Sequence, residues 1–160
     1  MTIYSFFIFD RHCNCIYNRE FTQTSAAGVN NGLINKNNTS HSSKLLFGII
    51  YSLKSLSAKL ISENELTSFT LGQSFRFHFW ESVTSYKFVV VTGYDVDDMQ
   101  QVLVRLHQYF VDCVASNGLT PVEFKWSANG EKLDNVGYSV ICNNSFVEET
   151  DQYLQSLSIY

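Results

Sequence analysis

The sequence predicts an α/β protein of the α+β kind: a five-stranded antiparallel sheet with one helix on one face and two on the other, in the order β-β-α-β-β-β-α-α. Three observations carry this. Residues 3–10 and 86–92 are apolar on both faces of an extended strand, the pattern of mid-sheet strands covered by layers on each side. Three other segments repeat apolar residues every three or four positions, as helices with a buried stripe do. Shorter alternating or mixed runs adjoin the two central ones across turn residues and supply the remaining strands.

In the first strand Ile3, Phe7 and Phe9 fall on one face and Tyr4, Phe6 and Ile8 on the other, with Ser5 alone polar. The turn Arg11-His12-Cys13-Asn14 leads into Cys15-Ile16-Tyr17-Asn18-Arg19-Glu20-Phe21, a mixed and charged run expected to be an exposed edge strand. Residues 22–40 are rich in Thr, Ser, Asn and Gly and read as a flexible polar loop, unusually long for a compact domain. Ser40, Ser42 and Ser43 are each able to cap the helix that follows. That helix is expected over 43–61. Leu46, Ile49, Leu53, Leu56 and Leu60 form its docking stripe, and Lys44, Ser52, Ser55 and Lys59 lie opposite in water. A second patch, Phe47, Ile50, Tyr51 and Ala58, lies to the side. It either widens the contact with the sheet or forms a partner interface.

Residues 68–71 make a brief strand, and 75–81 alternate, with Phe75, Phe77 and Phe79 inward. Placing the two doubly apolar strands side by side gives the sheet order second, first, fifth, fourth, third. Asp95, Asp97 and Asp98 put negative charge ahead of the next helix, favourable against its dipole. Its buried stripe is Met99, Val102, Leu103, Leu106, Phe110 and either Cys113 or Val114, and Asn117-Gly118 ends it. Residues 121–143 read as an irregular connection. Ser145-x-x-Glu148 has capping-box spacing, and Phe146, Thr150, Tyr153, Leu154 and Leu157 form one face of a last helix.

At 160 residues, 45% apolar and 15% aromatic, residues 1–160 are expected to form one domain with a sheet buried on both faces. A net charge of -4 without a basic block argues against nucleic acid as a partner. Met1-Thr2 runs straight into the first strand, so no secretory leader is expected. The longest apolar runs, such as 45–51, fall far short of a membrane span, so no direct membrane insertion is expected. Cys13, Cys15, Cys113 and Cys142 show no bridging pattern and read as free thiols in a reducing cytosol.

The sequence holds no Gly-rich phosphate loop, no G-x-S-x-G and no H-E-x-x-H. His12, His41, His78 and His107 are scattered over different elements, and His78 reads as structural between aromatic neighbours. His12-Cys13-x-Cys15 lacks the second ligand pair a zinc site needs. No catalytic, cofactor-binding or metal-binding residue is therefore assigned. A two-faced module with surplus apolar surface and no site reads as an interaction subunit.

The residues also carry a resemblance. The opening Ile3-Tyr4-Ser5-Phe6-x-Ile8-Phe9-Asp10-Arg11-His12-Cys13-Asn14-Cys15-Ile16 resembles the start of the smallest longin-like core subunits of TRAPP, the transport protein particle. Lys44-Leu45-Leu46-x-Gly48-x-Ile50-x-Ser52-Leu53-x-Ser55 is similar to their first helix, and fainter echoes run through Phe75-Arg76-Phe77-His78, Gln101-Val102-Leu103 and 146–157. Residues 22–40 and 121–143 interrupt it. The resemblance implies the longin-like (profilin-like) fold. It also implies a non-catalytic core subunit of a vesicle-tethering complex, cytoplasmic and peripheral at Golgi and endoplasmic-reticulum membranes. The implied partners are other TRAPP subunits, especially a larger longin-like one, and a Rab GTPase through the assembled complex. Guanine-nucleotide exchange in endoplasmic-reticulum-to-Golgi transport would belong to that assembly alone. A longin-like small chain of a clathrin adaptor is the alternative, and the Asp10–Cys15 turn argues against it. A SNARE regulatory domain would call for a coiled coil and anchor that this sequence does not show.

Overall fold

In the computed structural model, residues 3–21, 41–60, 66–120, 141 and 143–157 are described. The strands are β1 (Ile3–Phe9), β2 (Cys15–Glu20), β3 (Ser68–Leu71), β4 (Phe75–Glu81) and β5 (Lys87–Gly93). The helices are α1 (His41–Leu60), α2 (Gln100–Phe110) and α3 (Asn144–Ser156). The sheet order is β2-β1-β5-β4-β3, with every neighbouring pair antiparallel, the β1–β5 contact included. The two strands apolar on both faces thus stand at the centre, where Phe6, Ile8, Phe88, Val89 and Val90 lose all contact with solvent. Five antiparallel strands with α1 on one face and α2 and α3 on the other make the longin-like architecture.

Each face has its own core. Phe6, Ile8, Phe88 and Val90 pack beneath Leu103, Leu106 and Phe110 of α2 and Phe146 and Leu154 of α3. On the opposite face Phe9, Phe79 and Val89 meet Leu46 and Ile50 of α1.

Several local expectations change. Ile3 joins the α2–α3 core rather than the face of Phe7 and Phe9, because the β1–β5 register shifts between Ile3 and Ser5. A one-residue shift moves a strand side chain to the other face. Strand β2 lies at the sheet edge, yet Cys15, Ile16, Tyr17 and Asn18 are buried. Helix α3 covers it, with Tyr17 edge-on to Phe146 at 5.2 Å and Arg19 bonded to Asp151 at 2.6 Å. The Ile141 N–H also donates to the Ile16 carbonyl of β2 at 2.9 Å. In β4 only Phe79 of the three expected inward aromatics is buried. Phe77 is half-buried, stacked on Phe69, and Phe75 is exposed, edge-on to Tyr4.

Helix α2 follows its expected stripe. It ends in a π-helical turn, Val111–Ala115, closed by the Ser116 N–H on the Val111 carbonyl at 2.9 Å. The wider turn puts Val114 in the core and leaves Cys113 half-buried, which settles that alternative. Asp98 accepts from the Gln100 N–H at the start of α2. At α3 the cap is Asn143, which accepts from the Ser145 and Phe146 N–H groups. Ser145 therefore lies inside the helix, not at its cap. The Asn143 amide also donates to the Cys113 carbonyl at 2.6 Å, pinning the start of α3 to the end of α2. Residues 22–40 and 121–140 and Cys142 lie outside the described residues.

Candidate functional site

Helix α1 is the element whose residues exceed what its own docking uses. It begins at His41, so Ser42 and Ser43 lie within it and Ser43 is buried; Ser40 lies outside the described residues. The docked face consists of Ser43, Leu46 and Ile50, with Phe47, Leu53, Lys54 and Ser57 half-buried at its margins. At about 100° per residue these seven side chains occupy one arc. The expected docking stripe is thereby displaced. Leu46 docks, but Ile49, Leu56 and Leu60 are exposed on one flank together with Leu45, with Leu56 54% and Leu60 74% accessible. Hydrophobic spacing alone does not choose among faces when the helix is apolar on more than one.

The side patch lies along the other margin. Ile50 is buried and Phe47 half-buried, packed against Phe9 at 5.5 Å. Tyr51 stacks on Phe47 at 6.2 Å with its ring 63% exposed, and Ala58 is exposed. Three of the four, Ile50, Tyr51 and Ala58, form the helical wall of a half-open cavity of about 330 Å³ between α1 and the end of the β4–β5 hairpin. Phe79 contributes to its sheet side, and Lys54, Glu81 and Lys87 are its charged groups.

Those three charges tie α1 to the sheet. Glu81 and Lys87 face each other across the hairpin. Lys54 reaches down from α1 to one Glu81 oxygen at 2.6 Å, and Lys87 stands 3.5 Å from the other. Lys87 also bonds the Ser85 carbonyl and lies over the Phe47 ring at 5.6 Å. Burial pushes the Glu81 carboxyl up, but the two ammonium groups outweigh it and hold it below the usual carboxylate range. Hairpin pairing made the Glu81–Lys87 neighbourhood readable from sequence. The Lys54 contact was not, because it depends on which face of α1 docks.

The Asp10 turn of the opening motif is a structural device. One Asp10 oxygen accepts from the His12 and Asn14 backbone N–H groups, both at 2.8 Å, and the other from the Asn14 amide at 3.2 Å. His12 Nδ1 stands 3.9 Å from the same carboxylate. Among the described residues no group of three or more His, Cys, Asp or Glu is placed to hold a metal ion. Cys13 is exposed, whereas Cys15 is buried and its thiol is pushed up to about 12 by that burial. His78, also buried, bonds Thr92 Oγ1 at 3.0 Å and serves the sheet.

Comparison with known proteins identifies the family. The pattern defining the sybindin-like family matches residues 3–129. The chain belongs to the sybindin-like family. Among sybindin-like relatives, trafficking protein particle complex subunit BET5 of Saccharomyces cerevisiae is 34% identical, covering 96% of each chain. Trafficking protein particle complex subunit 1 of Dictyostelium discoideum is 28% identical over 72% of this chain and 78% of its own. The human protein of that name is 26% identical over 76% of this chain and 81% of its own. Among solved structures, Myxococcus xanthus MglB overlaps 66% of this chain and 74% of its own at 23% identity and a TM-score of 0.38, too loose a likeness to bear on function.

Proposed function

We propose that this chain is a non-catalytic, single-domain longin-like core subunit of a TRAPP-type tethering complex. In this reading it pairs with a larger longin-like subunit and helps form the surface on which a Rab GTPase exchanges its nucleotide. It works in the cytoplasm, peripheral at Golgi and endoplasmic-reticulum membranes. The names of its sybindin-like relatives support membership of such a complex and give the clathrin-adaptor alternative no support. The observation that carries the reading is α1, which docks through a narrow face while keeping apolar side chains exposed on both sides of it. Apolar residues gathered on one exposed helix mark protein interfaces. The interface proposed is the side patch of Phe47, Ile50, Tyr51 and Ala58, with Tyr51 and Ala58 as its accessible members and Phe47 and Ile50 holding them in place.

Two measurements test this. Affinity purification of the tagged chain from its own cells should recover other subunits of the complex, and recovery of adaptor large chains would overturn the reading. Release of a fluorescent guanine nucleotide from the Rab should stay at its intrinsic rate with this chain alone and rise only with the complex assembled. Acceleration by the single chain would refute its non-catalytic role.

A further inference from the structure

We propose that the cavity between α1 and the β4–β5 hairpin is a socket for one large apolar side chain, flanked by a carboxylate, on a different protein. The inference rests on the assembly reading above and specifies the chemistry of the surface concerned. The volume, about 330 Å³, lies at the small end of the ~300–1,000 Å³ typical of ligand pockets and suits a single bulky side chain. Its body is apolar, with Ile50 and Phe79 toward the core and Ala58 and the exposed Tyr51 ring toward the opening. An accessible aromatic ring beside a preformed pocket is the usual surrounding of an interface anchor.

Charge selects the partner. Among the described residues, two ammonium groups, Lys54 and Lys87, share the single carboxylate of Glu81, which leaves the rim they form net positive with donor hydrogens to spare. Helix α1 adds Lys44 and Lys59, and the sequence 41–60 contains no Asp or Glu. A second copy presenting the same helix would set lysines against lysines. An acidic neighbour to the inserted side chain is matched instead, so the occupant is a different protein.

The decisive experiment titrates the isotopically labelled full chain with 3-(indol-3-yl)propionate and with tryptamine, which share a ring and differ in charge. The carboxylate should move the amide signals of Tyr51, Ala58 and Glu81 and bind about threefold more tightly than the amine, the scale of one solvent-exposed ion pair. Glu81→Gln should widen that preference. Ala58→Trp or Ser55→Phe, both at exposed helix positions, should abolish binding by filling the cavity while leaving the melting temperature unchanged. Equal or tighter binding of tryptamine, or signal changes elsewhere in the protein, overturns the proposal. In cells, Ala58→Trp should lower recovery of the neighbouring subunit by about tenfold or more, as loss of an interface anchor does. If the unmodified chain recovers no subunit, the assembly reading falls, and the indole titration still decides the socket. If Ala58→Trp recovers its neighbour as well as the unmodified chain does, the socket is not the contact. Self-association of the unmodified chain in sedimentation, lost in Ala58→Trp, would make the occupant a second copy and overturn the heterologous partner.

Discussion

Asp10 shows how one side chain can hold a hairpin. Its carboxylate closes three hydrogen bonds within the turn, including two to backbone N–H groups, while Cys13 sits at φ 70, a left-handed conformation that side chains other than glycine adopt at a cost. Asp10→Ala should therefore cost about 2–3 kcal/mol in urea denaturation, since bonds to an ionised acceptor are lost together with the brace on that conformation. The sequence displayed the turn, but the role of Asp10 was hidden in backbone partners that leave no residue pattern. His78 was legible as structural because of its aromatic neighbours in β4. Burial lowers it from an ordinary 6.5 to about 4, with Arg76 adding to the effect and Asp98 opposing it. Between those values the unfolded chain takes up a proton that the native chain refuses. The contribution is thus fully present above about pH 6.5 and is lost as pH falls toward 4. Melting temperatures across that window should drop less steeply in His78→Gln than in the unmodified protein; parallel curves would remove His78 as the cause.

Among elements, α1 was found in the sequence but its orientation was not. Five Leu and Ile residues at helical spacing looked like a docking stripe, yet small Ser43 and the pair Leu46 and Ile50 lie against the sheet. The fit of Lys54 onto Glu81 and of Phe47 between Phe9 and Lys87 helps decide the rotation, and those partners are distant in sequence. The two positions 50 and 51 now separate stability from association. Ile50→Asp buries a charge and should melt the chain, whereas Tyr51→Asp should shift stability by under about half a kcal/mol. Tyr51→Asp should instead weaken binding of the neighbouring subunit by roughly 2 kcal/mol. Thermal melts alongside pull-downs would show it, and a Tyr51→Asp protein that is stable and still binds normally would rule out Tyr51 as an anchor. Gly48 offers a second probe of α1. A Cβ there meets nothing within 4 Å among the described residues, so the glycine serves no packing with them. Gly48→Ala should then stabilise the isolated protein by about 0.5–1 kcal/mol through helix propensity alone.

At the scale of the whole molecule, the strand order and the division of helices between faces were legible, because two doubly apolar strands have only one place to go. Edges were harder, since β2 read as exposed from its charges while α3 covers it through Phe146 and Asp151. The same layering sets thiol access. With the protein native, iodoacetamide should modify exposed Cys13 quickly and spare Cys15, and unfolding without reductant should open all four cysteines to alkylation. A cysteine that stays blocked after unfolding would reveal a disulfide. The hydrogen bond from Ile141 to Ile16 has a consequence for strand addition. A border carbonyl that already accepts a bond from its own chain is occupied at that point, so a strand from another molecule pairing along β2 would have to displace it. The opposite border of the sheet is β3, four residues long. A strand added there would pair with β3 over four residues at most, which makes any edge-to-edge joining through it short.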